Sequence, residues 1–153
     1  MSFWDWTARI ECEKYELGQS YTVIVFLGEV PKDPMDWLIC PQFVGAHHAI
    51  VDSGSGGNRG PVLEEGFVHL STAIAERSHL GSLEPSAVEP YLKRNLNWRV
   101  QKKDESAAQL NSLEVCIFAT RMIHPPDSDF PVPAEKRRFG AITHGRQGGC
   151  RSL

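Results

Sequence analysis

The sequence lacks the features that would place it in a membrane or on a secretory route. No part of its 153 residues approaches the roughly 18 consecutive apolar residues that a membrane helix needs. Residues 1–6 contain no basic region followed by an apolar stretch, so no signal peptide is predicted. We therefore expect a cytoplasmic protein without a membrane partner.

Cysteine is scarce, and its spacing excludes the common paired thiol sites. The four cysteines lie at positions 12, 40, 116 and 150, too far apart for a Cys-x-x-Cys metal or redox pair. Cys12 and Cys116 fall inside apolar segments, where a cysteine usually acts as a small buried hydrophobic residue. Because reduced thiols are the default in the cytoplasm, we predict reduced cysteines, and we predict no metal or other cofactor.

A concentrated positive charge is also missing. The formal net charge is −3, and the sixteen lysines and arginines are scattered, apart from a short run at residues 136–138 that Arg146 and Arg151 continue. Proteins that bind nucleic acid concentrate basic residues on one surface. The sequence therefore predicts no nucleic-acid partner.

Segments rich in β-branched and aromatic residues recur along the chain and predict strands. Residues 6–15 and 21–27 are predicted to form a hairpin, because residues 16–20 between them have turn composition. Further strands are predicted at residues 43–51, 62–69, 97–101 and 113–119, and two short helices at residues 71–77 and 86–96.

Prolines at positions 125, 126, 131 and 133 are expected to keep residues 124–153 out of any strand ladder, as a proline-rich extended tail. Together these patterns predict one mainly β domain over residues 1–153. We expect an antiparallel β-sandwich or a squat barrel with two short helices.

Eight stretches of the chain resemble one known family when they are taken in order. They comprise residues 8–10 with 14–18, 25–28, 43–49, 65–70, 82–85 with 88–92, 96–101, 112–115 and 142–146. Over about residues 6–149 the sequence is similar to the C-terminal domain of fungal tyrosinases.

The resemblance implies a lid. In that family this domain covers the binuclear copper site of the catalytic domain until proteolysis removes it. One of its loops carries an apolar placeholder side chain, commonly Phe, into the substrate entrance, and the matching position here is Ile50. Some members also carry a Cys-x-x-Cys pair with a proposed role in copper delivery. Residues 54–59 contain no cysteine, so that role is not expected here.

The first functional hypothesis is therefore a lid or chaperone that binds a tyrosinase-type catalytic domain. The contact would involve residues 43–52, with Phe43, Val44 and Ile50 as partner-binding residues. Because Met1 comes only a few residues before the first predicted strand, we expect the domain to act in trans. If the partner has been lost, self-association into a homo-oligomer would cover the apolar surface instead.

The second hypothesis is a small-molecule enzyme. The chain is not the oxidase itself, because six histidines on loops and strands do not supply two sets of three copper ligands. A metal-free isomerase, cyclase or hydrolase would bind its small-molecule ligand in an exposed pocket and use His47, His48, Asp52 or His69 as acid–base groups.

The histidines leave other interpretations open. Residues 43–51 and 62–69 are expected to be neighbouring strands. On a strand His47 and His48 point to opposite faces, so at most one of them shares a face with His69. Each histidine could instead simply hydrogen-bond to backbone or water, or two imidazoles and a carboxylate could hold one metal ion.

Overall fold

The computed structural model describes residues 2–52 and 60–153. These residues form eight strands and two α-helices: β1 (Ser2–Glu13), β2 (Tyr21–Leu27), β3 (Phe43–Ala49), β4 (Leu63–His69), α1 (Ser71–Arg77), α2 (Pro85–Asn95), β5 (Leu96–Lys102), β6 (Ala107–Ala108), β7 (Glu114–Ile123) and β8 (Val132–Arg138). Single turns of 3₁₀ helix occur at Pro34–Asp36 and Gly140–Ile142.

The strands form two four-stranded sheets, ordered β4-β1-β7-β8 and β3-β2-β5-β6. Side chains of β1 alternate between burial and partial exposure, and its buried side chains share one core with alternate side chains of β2. The shared core residues of these two strands are Trp4, Trp6, Ala8, Ile10, Cys12, Tyr21, Val23, Val25 and Leu27. The prediction of a mainly β, antiparallel sandwich with short helices is confirmed.

Both helices pack onto this core between the end of β4 and the start of β5. Ile74 of α1 and Val88 and Leu92 of α2 are fully buried within it. The indole Nε1 of Trp6 donates a hydrogen bond to the carbonyl of Leu83, at 2.8 Å, and so joins β1 to the segment that precedes α2. The two helix predictions are confirmed.

The predicted hairpin between the first two strands is wrong. β1 pairs with β4 and β7, whereas β2 pairs with β3 and β5. β1 and β2 each have a partner on both sides within their own sheets, so neither has a free edge with which to pair with the other. Residues 14–20 instead cross from one sheet to the other, a separation of roughly 10 Å in stacked sheets.

The prediction that prolines keep the tail out of a ladder is also wrong. β8 pairs antiparallel with β7, and Pro133 lies opposite Met122, beside a register shift. β8 is an edge strand, where a proline can face outward without removing a ladder hydrogen bond. The residues that follow β8 pack inward, since Phe139 and Ile142 are buried in the main core.

The cysteines differ from the prediction of reduced thiols. Cys116 of β7 and Cys150 near the C-terminus form a disulfide. Their neighbours Val115 and Gly149 form a parallel β-bridge, which brings the two backbones side by side. Cys12 and Cys40 are free thiols.

Candidate functional site

Ile50 follows directly after β3, at the end of the sandwich where β1 finishes and β2 begins. β3 ends at Ala49, which is paired with Tyr21, and the Tyr21 hydroxyl donates a 2.8 Å hydrogen bond to the carbonyl of Glu13. β4 starts at the same place, because Leu63 is the register partner of Glu13. The glycine-rich residues 54–59, where the sequence lacks a Cys-x-x-Cys pair, lie outside the described residues.

The side chain of Ile50 is exposed, with 65% of its surface accessible to solvent. The backbone beside it is held from β2's side, because the Val51 amide donates to Ser20 Oγ at 2.8 Å. The Ser20 hydroxyl in turn donates to the Val51 carbonyl at 3.3 Å. Val62 and Leu63 are exposed at the same end, and we call Ile50, Val62 and Leu63 the apolar tip.

His47 points between the two sheets and meets residues of β1 and β4. Its Nε2 lies 2.9 Å from Glu64 Oε1, and Cys12 is the register partner of Glu64 on β1. A sulfur, a nitrogen and an oxygen from these three side chains lie within 4.8 Å of one another. Lys14 Nζ lies 4.0 Å from the second carboxylate oxygen of Glu64. We call Cys12, His47 and Glu64 the thiol–imidazole–carboxylate cluster.

Glycines allow β3 and β4 to approach so closely without a ladder between them. A Cβ on Gly66 would lie 2.8 Å from Cγ of the His47 ring, closer than real side-chain contacts. A Cβ on Gly45 would lie 2.7 Å from Val68 Cγ1. The close packing of the two sheet edges thus depends on a missing side chain in each strand.

Burial keeps the Cys12 thiol and the neighbouring Tyr21 hydroxyl in their neutral forms. Burial raises the pKa of the Cys12 thiol above its usual value, and the carboxylates of Glu64 and Glu13 act in the same direction, while a hydrogen bond with the Tyr21 hydroxyl opposes them. Burial likewise raises the pKa of Tyr21. Both groups are therefore protonated near pH 7.

The structure does not bring the four predicted acid–base residues together. His48 is exposed, and its Nδ1 lies 3.0 Å from Thr22 Oγ1, on the face of β3 opposite to His47. His69 lies beside a small cavity of about 140 Å³ that Phe67 and Phe118 also line. Asp52 is exposed beyond Ile50. The strands of His47 and His69 are adjacent, but they belong to different sheets.

The other predicted partner-binding residues lie at the opposite end of β3 from Ile50. Phe43 packs against the smaller core cluster of Ile24, Phe26 and Trp37, while Val44 packs against the main core. Both are half-buried, whereas Ile50 is exposed. Their role in binding a partner stays a prediction.

A larger cavity, of about 390 Å³, lies between β5 and the C-terminal segment. There the Arg146 guanidinium stacks 4.4 Å over the Trp98 ring and donates to the Leu96 carbonyl at 2.7 Å. Burial, and then the charge of Arg99, lower the pKa of Arg146. Trp98 is buried within the strand predicted at residues 97–101, and its contact with Arg146 was not predicted from the sequence.

The association of Cys12 with His47 and Glu64 was not predicted from the sequence. Cys12 was predicted to be a buried hydrophobic residue, and it is fully buried. The contact depends on the register of β1 with β4 and on the packing of β3 over β4. Neither relationship can be deduced from residue spacing within one segment.

Within residues 2–52 and 60–153, neither helix has the length and apolar character required to cross a membrane.

Comparison with known proteins gives the family. The model of the tyrosinase C-terminal domain matches residues 5–117. The tyrosinase of Neurospora crassa is 34% identical over 106 residues, which are 63% of this chain and 16% of that protein. Polyphenol oxidase 4 of Agaricus bisporus is 26% identical over 137 residues, which are 86% of this chain and 21% of that protein. The chain thus spans about a fifth of the length of these relatives.

Solved structures agree with this result. Recombinant mushroom tyrosinase has a TM-score of 0.72 at 25% identity, over 93% of this chain and 26% of that one. The holo-protyrosinase of Aspergillus oryzae has a TM-score of 0.53 at 15% identity, over 90% of this chain and 20% of that one, which is a likeness of fold alone. Since the family model covers well over half of its residues, the chain belongs to the tyrosinase C-terminal domain family, as the eight stretches predicted.

Proposed function

We propose that this domain binds a tyrosinase-type copper catalytic domain as a lid, with Ile50 at the entrance to the copper site. The observation that carries the proposal is an exposed apolar side chain on a backbone that Ser20 holds through two hydrogen bonds. Family membership supplies the kind of partner.

The apolar tip suits a contact of this kind energetically. Ile50, Val62 and Leu63 all expose apolar surface at one end of the sandwich. Full burial of one such side chain on a partner is favourable by roughly 1.5–3 kcal/mol. An isoleucine carries no polar group that would lose hydrogen bonds to water in an apolar entrance. Of the three, Ile50 matches the placeholder position of the family, so its replacement should affect docking most.

We propose that the contact forms in trans, between separate chains, and a mixing experiment tests this directly. A fungal tyrosinase catalytic domain without its own C-terminal domain is titrated with this chain, and the rate of diphenol oxidation is measured. Saturable inhibition is expected. Ile50→Asp should weaken the inhibition at least about tenfold, because a carboxylate would have to enter an apolar entrance.

Ile39 provides the matched control. It is 78% exposed and lies in the loop before β3, at the other end of that strand from Ile50. Ile39→Asp should therefore inhibit as well as the unmodified domain. The lid proposal is contradicted if the unmodified domain does not inhibit at any concentration, or if Ile50→Asp inhibits equally well. Size-exclusion chromatography of the domain alone tests the predicted alternative of self-association.

A chaperone would use the same surface at an earlier stage. Co-expression distinguishes the two roles, because a chaperone raises the soluble yield of the catalytic domain and a lid lowers only its activity. No observation favours the enzyme hypothesis, since His47, His48 and His69 face three different surroundings. That hypothesis stays a prediction.

A further inference from the structure

We infer that Cys12, His47 and Glu64 form a binding site for one Zn²⁺-class metal ion, a property separate from the proposed lid function. The three side chains come from three strands, β1, β3 and β4, and one ligand atom from each lies within 4.8 Å of the other two. In a tetrahedral zinc site with Zn–S near 2.3 Å and Zn–N and Zn–O near 2.0 Å, ligand atoms are roughly 3.3–3.6 Å apart. Small side-chain movements are therefore enough to close the site around an ion.

The donor set selects the kind of ion. Calcium and magnesium require oxygen ligands almost exclusively, so a thiol and an imidazole argue against both. A thiolate, an imidazole and a carboxylate together suit borderline ions, of which Zn²⁺ is the commonest in proteins. Three protein ligands leave the fourth tetrahedral position for water or for an added ligand.

The surroundings of the cluster already orient its members. Lys14 Nζ lies 4.0 Å from Glu64 Oε2, the oxygen that is not bonded to His47. Gly66 packs against the Nδ1 side of the His47 ring, which leaves Nε2 facing Glu64. The Tyr21 hydroxyl is in hydrogen-bonding contact with the Cys12 thiol. Such outer contacts fix the direction of metal ligands in proteins.

Access and proton balance also permit binding. The Cys12 side chain is fully buried, but the side chains of His47 and Glu64 keep 16% and 24% of their surface exposed, so an ion can enter from their side. Cys12 would release its thiol proton to solvent when the Zn–S bond forms, and no electron transfer is involved.

The competing explanation is a simple ion pair between His47 and Glu64 with an inert buried cysteine beside it. Cobalt titration distinguishes the two. Bound Co²⁺ absorbs visible light, and a Co²⁺–thiolate bond gives a further charge-transfer band in the near ultraviolet. The whole chain is stripped with a chelator and kept without reductant, so that Cys116 and Cys150 stay in their disulfide. Co²⁺ is then added, followed by Zn²⁺.

We expect one equivalent of Co²⁺ to bind with the thiolate band, and Zn²⁺ to displace it. Cys12→Ser should abolish the band, and His47→Gln and Glu64→Gln should each weaken binding at least about tenfold. Cys40→Ser is the matched control, since Cys40 is the other free thiol and its sulfur donates a hydrogen bond to the Trp37 carbonyl, at 3.4 Å. It should keep the full spectrum.

Thermal melting keeps the test informative if a variant folds poorly. Zn²⁺ should raise the melting temperature of the unmodified chain and of Cys40→Ser, but not that of Cys12→Ser, and each metal-free melt reports whether the variant is folded. The inference is overturned if the folded chain gives no thiolate band, or if the band survives Cys12→Ser. Inhibition through Ile50 is a separate readout, because Ile50 is not a ligand.

Discussion

The amide of Val51 donates a hydrogen bond to the hydroxyl of Ser20 across 2.8 Å, and that hydroxyl donates back to the Val51 carbonyl at 3.3 Å. The two residues are 31 positions apart in the sequence. The pair joins the residue before β2 to the residue after Ile50. The exposed isoleucine is therefore presented by a backbone that is tied to the sandwich.

Ser20→Ala should weaken the proposed inhibition several-fold while leaving the fold intact. The substitution removes both hydrogen bonds, each of which contributes roughly 0.5–1.5 kcal/mol to the local structure. The inhibition constant against the isolated catalytic domain is the measurement. Ser20→Thr, which keeps a hydroxyl, should restore most of the inhibition. Identical constants for the alanine variant and the unmodified domain would show that Ile50 needs no anchor.

Loss of the disulfide should destabilise the domain strongly. Cys116 and Cys150 are 34 residues apart, and closing a loop of that length stabilises a fold by about 3–4 kcal/mol in the chain-entropy description. Replacing both cysteines with Ala should lower the melting temperature by about 10 °C. Cys40→Ala, which alters a free thiol, should change it far less. Equal melting temperatures for the double variant and the unmodified chain would contradict the structural importance of this bond.

The same bond allows a test of the predicted cytoplasmic location. Cells are lysed in acid, which stops thiol exchange, and free thiols are then blocked in denaturant, because Cys12 is fully buried in the folded chain. The blocked chain is weighed by mass spectrometry. Two blocked thiols, Cys12 and Cys40, would indicate an oxidising compartment, since disulfides persist mainly there. Four blocked thiols would agree with the predicted location.

The sequence allowed individual strands to be predicted, but not which strands pair with each other or which cysteines form a disulfide. Imperfect alternation in residues 6–15 and the β-branched run at 21–27 are visible in one segment, so both strands were predicted, although β1 begins earlier, at Ser2. Their assignment to different sheets depends on partners far along the chain, so the hairpin was wrong. The prediction of reduced cysteines was wrong for the same reason. The β-bridge between Val115 and Gly149 aligns Cys116 with Cys150, and nothing in the sequence of either segment indicates that bridge.

Some features of the candidate site could likewise be predicted from the sequence, and others depended on how the strands pair and pack. Ile50 was located through the resemblance of the segment around it to a known family, and its exposure agrees with the predicted role. The opposite directions of His47 and His48 follow from strand geometry and were also foreseen. The contact of His47 with Glu64 and Cys12 required the β1–β4 register and the stacking of β3 on β4, which alternation alone does not determine.

Glu16→Gln should reduce stability at neutral pH but not in acid. Burial acts to raise the pKa of Glu16, but hydrogen bonds from the Ser112 side chain and from the Asn111 and Ser112 amides prevail and lower it. A lowered folded-state pKa stabilises the protein above the unfolded value near 4.5, and this stabilisation is lost as the pH falls through the folded value.

Urea unfolding at several pH values measures this contribution. We expect a loss of roughly 1 kcal/mol at pH 7 for Glu16→Gln. This is less than the roughly 1.5–3 kcal/mol usual for hydrogen bonds to a charged group, because the side chain is partly solvated. The difference should shrink steadily below about pH 4. Glu29→Gln, at an exposed position, should change the free energy of unfolding at pH 7 far less. A difference that is constant with pH would mean that the carboxylate charge of Glu16 is not responsible.

Gly66→Ala should destabilise the domain through His47. The new Cβ would lie 2.8 Å from Cγ and 3.1 Å from Cβ of His47, so the ring must move and its 2.9 Å contact with Glu64 is strained or lost. Overpacking of this kind lowers the free energy of unfolding by about 1–3 kcal/mol, which urea unfolding measures. Gly60→Ala, where an added Cβ meets nothing within 4 Å, should be close to neutral.

A double variant tests whether the His47 ring is the obstacle, because His47→Ala makes room for the new methyl group. The free energy of unfolding of Gly66→Ala/His47→Ala should then fall by at least about 0.5 kcal/mol less than the sum of the two single losses. Additive losses would place the clash elsewhere and would remove the evidence that Gly66 positions the imidazole.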